Sequence, residues 1–404
     1  MHVLITTDQH ASSLGGVQVS IRLQQRFLEK LGHRVSVVAP RLHRPDDSGH
    51  PDDINLPSRP ITGDREYGAF WPGASGVRRI EAALADREPV DLVHVQGDYW
   101  GAIAGYRFAE THALPVVHTM HNHLQMGIEK VAPAPGLVIR ALLFAQGRLL
   151  RPSLSRLPAS AWRILHEYAA RARVVTAPSG HFARQLEERG VAPHVEVLWN
   201  GVDDALLDAV LAEERPENAR PVFLWTGRMS QEKRLLEFLE AVRLADVDAE
   251  VRLYGQGLLL ERAEAFVAEA RAAGMRTDVR FLGKVPYADS LRGLRSADAL
   301  VQTSIGFETQ GMTVFEAAAL GTPSIVSDPN IAGELPPGTA REPADSSIPA
   351  LAAELVTVAE RVRSGQWGRL APSEAGWFRQ SRQTEQMLDV YARARAAGPR
   401  TVRF

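Results

Sequence analysis

Short runs rich in Val, Ile and Leu recur along this 404-residue chain, separated by longer stretches of helical period, and that alternation leaves few folds open. In the first half the runs are VLITTD, RVSVVAP, DLVHVQG, PVVHTMH, VVTAPS and VEVLWNG. Strands this apolar are buried on both faces, the condition of a parallel sheet covered by helices. After the polar, proline-bearing stretch EERPENARP the rhythm restarts with VFLWTG, EVRLYGQG, VRFLGKV, ALVQTS and PSIVSD. Two doubly wound α/β domains follow, a number that the length and the 45% hydrophobic content also support. The last segment, AGWFRQSRQTEQMLDVYARARAA, puts Trp377, Phe378, Met387, Leu388 and Tyr391 on the apolar side of a helix that is expected to cross back onto the first domain. The predicted domains are therefore residues 1–200 with 380–404, and residues 201–379.

Nearly every run ends in Gly, Ser, His, Asp or Asn. Such residues make turns, but open parallel sheets also bind ligands beyond the carboxyl ends of their strands, which places the expected chemistry where the two sheet edges face each other. With 46 basic and 48 acidic side chains, no global field favours nucleic acid. The absence of cysteine removes disulfides, thiolate metal sites and a thiol nucleophile, and fits a reducing compartment. The opening MHVLITTDQH is too short for a signal core, and LVIRALLFAQGRLL is interrupted by Arg140 and Arg148, so a soluble or peripheral protein is expected.

From Lys130 to His166 there are six Lys or Arg and no Asp or Glu. At about 100° per residue, Arg140, Arg148 and Arg151 fall within roughly 80° of helix surface, opposite Leu142 and Leu149. Such a helix lies at an anionic membrane surface or forms a solvated outer face. Gly49 to Gly73 is rich in proline and glycine and predicts a long loop near the cleft.

Four stretches carry candidate chemistry. In WTGRMSQEKR a strand ends at Gly227 and presents Arg228 and Lys233 beside a helix start, a cationic site suited to a diphosphate. In GFETQGMTVFEAAALGTP, Gly311, Met312 and Thr313 open a helix whose first N–H groups suit the same diphosphate. Glu316, within that helix, suits a ribose diol, and Glu308, before the turn, suits hydroxyls beyond the phosphates, so a sugar nucleotide fits both. Gly15-Gly16 opens a helix after the first strand and lets backbone approach a ligand, although the spacing is not that of a dinucleotide fingerprint. His118, His121 and His123 follow another strand at spacings that match no zinc motif. The acidic triplet Asp246 to Asp248 falls before a strand, at the end away from the expected site, and is read as structural.

Together with LGHRVSVV, PVVHTMHN, APSGHF, VLWNGVD, GRMSQEKR, YGQG and EAAALGTP, these residues resemble the retaining glycosyltransferases of family 4 over almost the whole chain. The resemblance implies the GT-B fold, two facing Rossmann-like domains. It implies that Arg228 and Lys233 bind a donor diphosphate with backbone at Gly16, Met312 and Thr313, that Glu316 binds the ribose, and that Gly283 to Val285 meet the base. Glu308 would hold the hydroxyls of the transferred sugar and His121 would contact that sugar near the breaking bond. No cofactor and no metal are expected, the leaving diphosphate being neutralised by Arg228, Lys233 and the helix terminus. GFETQGMTVFEA, DLVHVQGDYWG and PVVHTMHN are most similar to the branch that glycosylates diacylglycerol. That implies a UDP-sugar donor, a lipid acceptor and a peripheral place at the inner face of the cell membrane, with Arg140, Arg148 and Arg151 on anionic lipid. Mannosyl transfer to phosphatidylinositol or a lipid-linked saccharide, transfer to a soluble small acceptor, and sugar-nucleotide binding without turnover stay open as alternatives.

Overall fold

The computed structural model describes all residues except 14, 44–48, 63–64, 66, 152–154, 156, 369–375 and 401–404. The chain forms two compact units, Met1–Gly201 with Gln380–Phe404, and Val202–Arg379. In the first, β1 (His2–Thr7), α1 (Gly16–Lys30), β2 (Arg34–Pro40), β3 (Ile54–Leu56), β4 (Arg59–Pro60), β5 (Gly68–Ala69) and α2 (Ala74–Leu84) come in order. They are followed by β6 (Leu92–Gln96), α3 (Trp100–His112), β7 (Val116–Thr119), α4 (Leu124–Val131), α5 (Pro135–Leu149), α6 (Ala161–Ala169), β8 (Val174–Ala177), α7 (Gly180–Glu188) and β9 (Glu196–Val197).

The second unit holds α8 (Asp204–Ala212), β10 (Val222–Thr226), a 3-10 turn at Gln231–Lys233, α9 (Leu235–Ala245), β11 (Glu250–Tyr254), α10 (Leu260–Ala272) and β12 (Asp278–Gly283). It continues through α11 (Tyr287–Ser296), β13 (Ala299–Gln302), α12 (Met312–Ala319), β14 (Ser324–Val326), α13 (Pro329–Ala332), β15 (Ala340–Arg341) and α14 (Ile348–Arg363), before α15 (Gln380–Ala397) returns to the first unit.

Among the described residues the first unit carries a sheet of order β3-β2-β1-β6-β7-β8-β9 and the second one of order β12-β11-β10-β13-β14-β15. All neighbours within both sheets are parallel. The order reverses between β1 and β6 in one sheet and between β10 and β13 in the other, the switch points at which such folds place ligands. Burial explains the apolar runs: every residue of β1 and β6 is buried, as is all of β2 after Arg34.

On one face of the first sheet α15 completes the core, with Met387, Val390, Tyr391 and Ala394 in one cluster with Ile5, Ile21, Val35 and Val117. The expected apolar side of this last helix needs correction at its start. The helix begins at Gln380, so Trp377 and Phe378 precede it. Trp377 is exposed, while Phe378 belongs to the second unit, where its carbonyl accepts from Val202 N–H (2.7 Å) and its ring meets Phe315 edge-on.

Residues 49–73 are also more ordered than the predicted loop, because Ile54–Leu56 adds a strand to the edge of β2 and β4 pairs with β5 in a small antiparallel ribbon. Gly63, Asp64 and Glu66 of that stretch lie outside the described residues.

Candidate active site

In the second unit the loops after β10, β11 and β12 are joined by backbone hydrogen bonds. Gly227 N–H donates to Tyr254 O (3.0 Å), Met229 N–H to Gln256 O (2.9 Å) and Gly255 N–H to Gly283 O (2.8 Å). The approach is so close that a Cβ on Gly255, whose φ is 129°, would stand 1.9 Å from Gly227 O. Glycine is therefore required at 255 on steric and conformational grounds.

Arg228 is exposed just beyond β10. Lys233 is set by a short chain of bonds from the sheet: the buried Trp225 indole donates to Thr303 Oγ1 (3.0 Å), which donates to the Lys233 carbonyl (2.6 Å). Because β10 and β13 are neighbours, the loop after β13 arrives beside this turn. It brings Glu308 into an ion pair with Lys233, the two side chains being 15% and 25% exposed. Gly306 (φ 67°) and Gly311 (φ 75°) bracket Glu308 in the left-handed region, and Gly306 N–H is tied to Asp328 Oδ2 (2.6 Å). Asp328 also caps α13.

No side chain caps α12, which starts at Met312 directly after Gly311. One turn on, the buried Glu316 accepts a hydrogen bond from Tyr287 Oη (2.9 Å). Burial pushes the Glu316 carboxyl up to about 7, against the Tyr287 bond, which favours the anion. Burial and the Glu316 charge in turn raise Tyr287 well above its ordinary value, so it stays a donor. Gly283 ends β12 with φ 69°, and Val285 stands half-buried before α11.

In the first unit the corresponding edge is built around Asp8, which follows β1. Its carboxylate accepts from the N–H groups of Asp98 (2.6 Å), Tyr99 and Gly101 (2.8 Å) and so closes the start of α3. Burial, and then the nearby Asp98, push Asp8 up to about 7. Gly15 has φ 152° and leads into α1, where Gly16 is exposed and no side chain caps the helix.

His121 is 5% exposed and donates from Nε2 to Gln96 Oε1 (3.0 Å); burial lowers it to about 4, so it is neutral across the physiological range. The other two histidines are structural: His118 is fixed between Tyr106 Oη and Gly97 O, both at 3.0 Å, and His123 caps α4. Among the described residues no group of three or more His, Cys, Asp or Glu is placed to hold a metal ion. A cavity of about 620 Å³ lined by Arg107, Glu110, Arg151, Arg171 and Arg400 lies against Val116, the first residue of β7, and so at the other end of the strands from His121.

Arg140 and Arg148 are exposed on α5, while Leu142 and Leu149 lean on the core as their angular positions required. Between the two arginines the same outer surface carries Phe144, 72% exposed, and Leu137, 66% exposed, stands one turn before Arg140. Arg151 departs from the expected arc. Leu150 is extended (φ −122°, ψ 127°) and ends the helix, so Arg151 lies beyond it, exposed, with its carbonyl bonded by Arg171. The triplet at Asp246 caps α9 in the left-handed region and pairs with Arg276.

The structure thus brings Lys233 to Glu308 and sets Glu316 in the same unit, with Gly16 after β1 and His121 after β7 at the carboxyl ends of strands in the other sheet. Sequence reasoning missed Tyr287, Asp8 and Gln96. Each stands at or just past a strand end, the signal that singled out the others.

A model of the family described as Glycosyltransferase Family 4 matches residues 14–206, and one described as Glycosyl transferases group 1 matches residues 220–361. The chain is 25% identical to the alpha-monoglucosyldiacylglycerol synthase of Streptococcus pneumoniae over 343 residues, 80% of this chain and 70% of that one. It is 26% identical to the phosphatidyl-myo-inositol mannosyltransferase of Mycolicibacterium smegmatis over 324 residues, 78% and 72% of the two. Among solved structures, a sucrose-phosphate synthase from Thermosynechococcus elongatus superposes with a TM-score of 0.70 at 19% identity, covering 98% of this chain and 99% of that one. HepE of Anabaena, solved with UDP and glucose, gives 0.67 at 16% identity over 97% and 99%. These two likenesses establish the GT-B fold. With one family model on each unit and these relatives along most of its length, the chain belongs to the family 4 glycosyltransferases.

Proposed function

We propose that this protein moves a hexose or hexuronic acid from a UDP-sugar to a lipid hydroxyl, that of diacylglycerol, with retention at the anomeric carbon. The observation that carries the reading is the Lys233–Glu308 pair beside the uncapped start of α12, with Glu316 buried one turn further on. Arg228, Lys233 and the N–H groups of Met312 and Thr313 take the diphosphate and stabilise it as it leaves. Gly16 adds backbone contact to the phosphates, and Gly283 and Val285 meet the base. Glu308 accepts from hydroxyls of the transferred sugar, and His121, neutral because it is buried, contacts that sugar near the bond that breaks. The departing diphosphate takes the acceptor's proton, so no side chain is assigned as general base and no metal is assigned a step.

Glu316 gives the donor site a pH dependence. In the free protein its carboxyl is protonated below about pH 7, whereas accepting two ribose hydroxyls requires the anion. Nucleotide affinity is therefore expected to fall as pH drops through 7, by up to about tenfold per pH unit. Glu316→Gln should flatten the profile, and Tyr287→Phe, by removing a bond that favours the anion, should move it to higher pH. Calorimetric titration with UDP from pH 5.5 to 8.5 reads this, and a flat wild-type profile would remove Glu316 from the ribose.

The names of two relatives, one acting on diacylglycerol and one on phosphatidylinositol, put lipid acceptors first. No helix among the described residues is long and apolar enough to cross a membrane. The outer face of α5 supplies a peripheral contact instead: Leu137 and Phe144 enter the headgroup boundary while Arg140 and Arg148, with Arg151 just beyond the end of the helix, meet anionic lipid at the inner face of the cell membrane. At about 1 kcal/mol per cation, replacing the three arginines by Gln lowers affinity for phosphatidylglycerol vesicles roughly 100-fold. Unchanged vesicle binding would make this a solvated face.

The acceptor is tested by offering labelled UDP-glucose with vesicles containing either diacylglycerol or phosphatidylinositol. Label extracted with diacylglycerol alone supports the reading. Label with phosphatidylinositol alone favours the second reading, to which the mycobacterial relative points.

A further inference from the structure

The cavity of about 620 Å³ against the start of β7 is lined by guanidinium groups from four separate segments. Arg107 comes from α3, Arg151 follows α5, Arg171 follows α6 and Arg400 follows α15. Like charges gathered in a concavity repel one another, so their grouping needs a cause. Arg171 forms a fixed wall. It is 4% exposed, stands 3.5 Å from Glu110 Oε1 and 3.4 Å from Glu167 Oε2, and holds the Arg151 carbonyl through Nη2.

Arg107 and Arg400 are placed differently, because among the described residues neither has a carboxylate within ion-pair distance. Arg107 donates from Nη1 to Leu149 O (2.6 Å), and Arg400 donates from Nη1 to Ala172 O (3.0 Å) and Ala169 O (3.5 Å). Bridging between segments therefore uses one nitrogen of each, whereas a guanidinium carries five N–H donors over three nitrogens. The Nε of Arg107 is buried with no hydrogen-bond partner, and a buried orphan donor on a cation marks a place where an ion or a water belongs. Glu110 is the one carboxylate among the residues that line the cavity.

We propose that this cavity is an anion site separate from the donor site, and that it takes the phosphate group of a phosphomonoester or phosphodiester. The planar forks of Arg107 and Arg400 suit phosphate oxygens, which accept in pairs. The volume exceeds what phosphate alone fills, and Leu114, Val116 and Leu149 give the esterified group an apolar wall. Two sources share this chemistry. One is the headgroup of an anionic phospholipid, reached where α5 ends at Leu149 and Arg151 follows; the other is a soluble phosphate ester. No residue of the cavity is among those assigned to the nucleotide or to the transferred sugar.

The test is calorimetric titration with glycerol 3-phosphate and with dihexanoyl phosphatidylglycerol, each with UDP present to fill the donor site. At least one probe is expected to bind with one-to-one stoichiometry. Arg400→Gln should weaken that binding about tenfold, as loss of one charge-assisted donor does, and Arg107→Gln combined with it about 100-fold, with UDP affinity unchanged. Arg400 stands outside every helix and strand, so the single variant decides even if the double variant does not fold. Binding of the soluble ester alone identifies a soluble ligand, binding of the lipid alone identifies a headgroup, and binding of both shows that the phosphate is what is recognised. No binding of either probe at millimolar concentration overturns the proposal, as does a wild-type affinity in Arg400→Gln. Occupancy is read by binding and not by turnover, so failure of the transferase reading would leave the site standing.

Discussion

Glu308→Gln is expected to lower kcat about 100- to 1,000-fold, the usual effect of removing one charged group from a transition state, while UDP binds within about threefold of normal. The separation follows from the charges. Gln keeps the shape of the side chain but loses the charge with which Glu308, in the role proposed for it, accepts from hydroxyls of the transferred sugar as its bond to the diphosphate breaks. Lys233 meanwhile keeps its ammonium and loses the anion that shares it, so the diphosphate is held no less well. The protein itself should melt almost where the wild type does, since a partly exposed pair contributes only about 0 to 1 kcal/mol. Steady-state kinetics with calorimetry of UDP binding give both numbers. A turnover loss matched by an equal loss of UDP affinity would place Glu308 on the nucleotide and not on the sugar.

Lys233→Ala is expected to damage both quantities, with KM for the donor up about tenfold or more and kcat/KM down about 1,000-fold or more. The ammonium is lost, and the Glu308 carboxylate it had neutralised is left to repel the incoming diphosphate. That second effect has its own signature. In the double variant with Glu308→Gln the repulsion is gone, so UDP affinity should recover part of what Lys233→Ala lost and the two changes should not add. Additive losses in UDP affinity would mean that the two side chains do not share the diphosphate site.

Much of this site was legible because parallel strands buried on both faces read as unbroken apolar runs, and because the residue after such a run faces the ligand edge. Arg228 and His121 were proposed on that ground, and Lys233 and Glu308 from the helix starts that follow such runs. Their partnership was not legible: Lys233 and Glu308 are 75 positions apart, and only the pairing of β10 with β13 sets them side by side. Glu316 was read as a carboxylate in a helix, but its burial and its bond to Tyr287, 29 positions away, depend on how α11 stands against α12.

The failures have equally local causes. Ile54–Leu56 is three residues long amid prolines, too short for any period to show. The angular reading of Arg151 assumed a helix that Leu150 stops. Gln24, Gln96, His94 and Tyr391, whose side chains hydrogen-bond one another, come from α1, β6 and α15, and no local pattern links the three segments. Only the closed fold shows that their polar atoms satisfy one another.

The central claim, transfer from a nucleoside diphosphate sugar to a lipid hydroxyl, is tested most directly with a panel of labelled UDP- and GDP-sugars. Each is offered with diacylglycerol in anionic vesicles, followed by solvent extraction and determination of the anomeric configuration of any labelled lipid. The account predicts label in the lipid phase from a UDP-sugar, in α linkage. Label that stays in water while the donor is consumed, or a β-linked product, would contradict it.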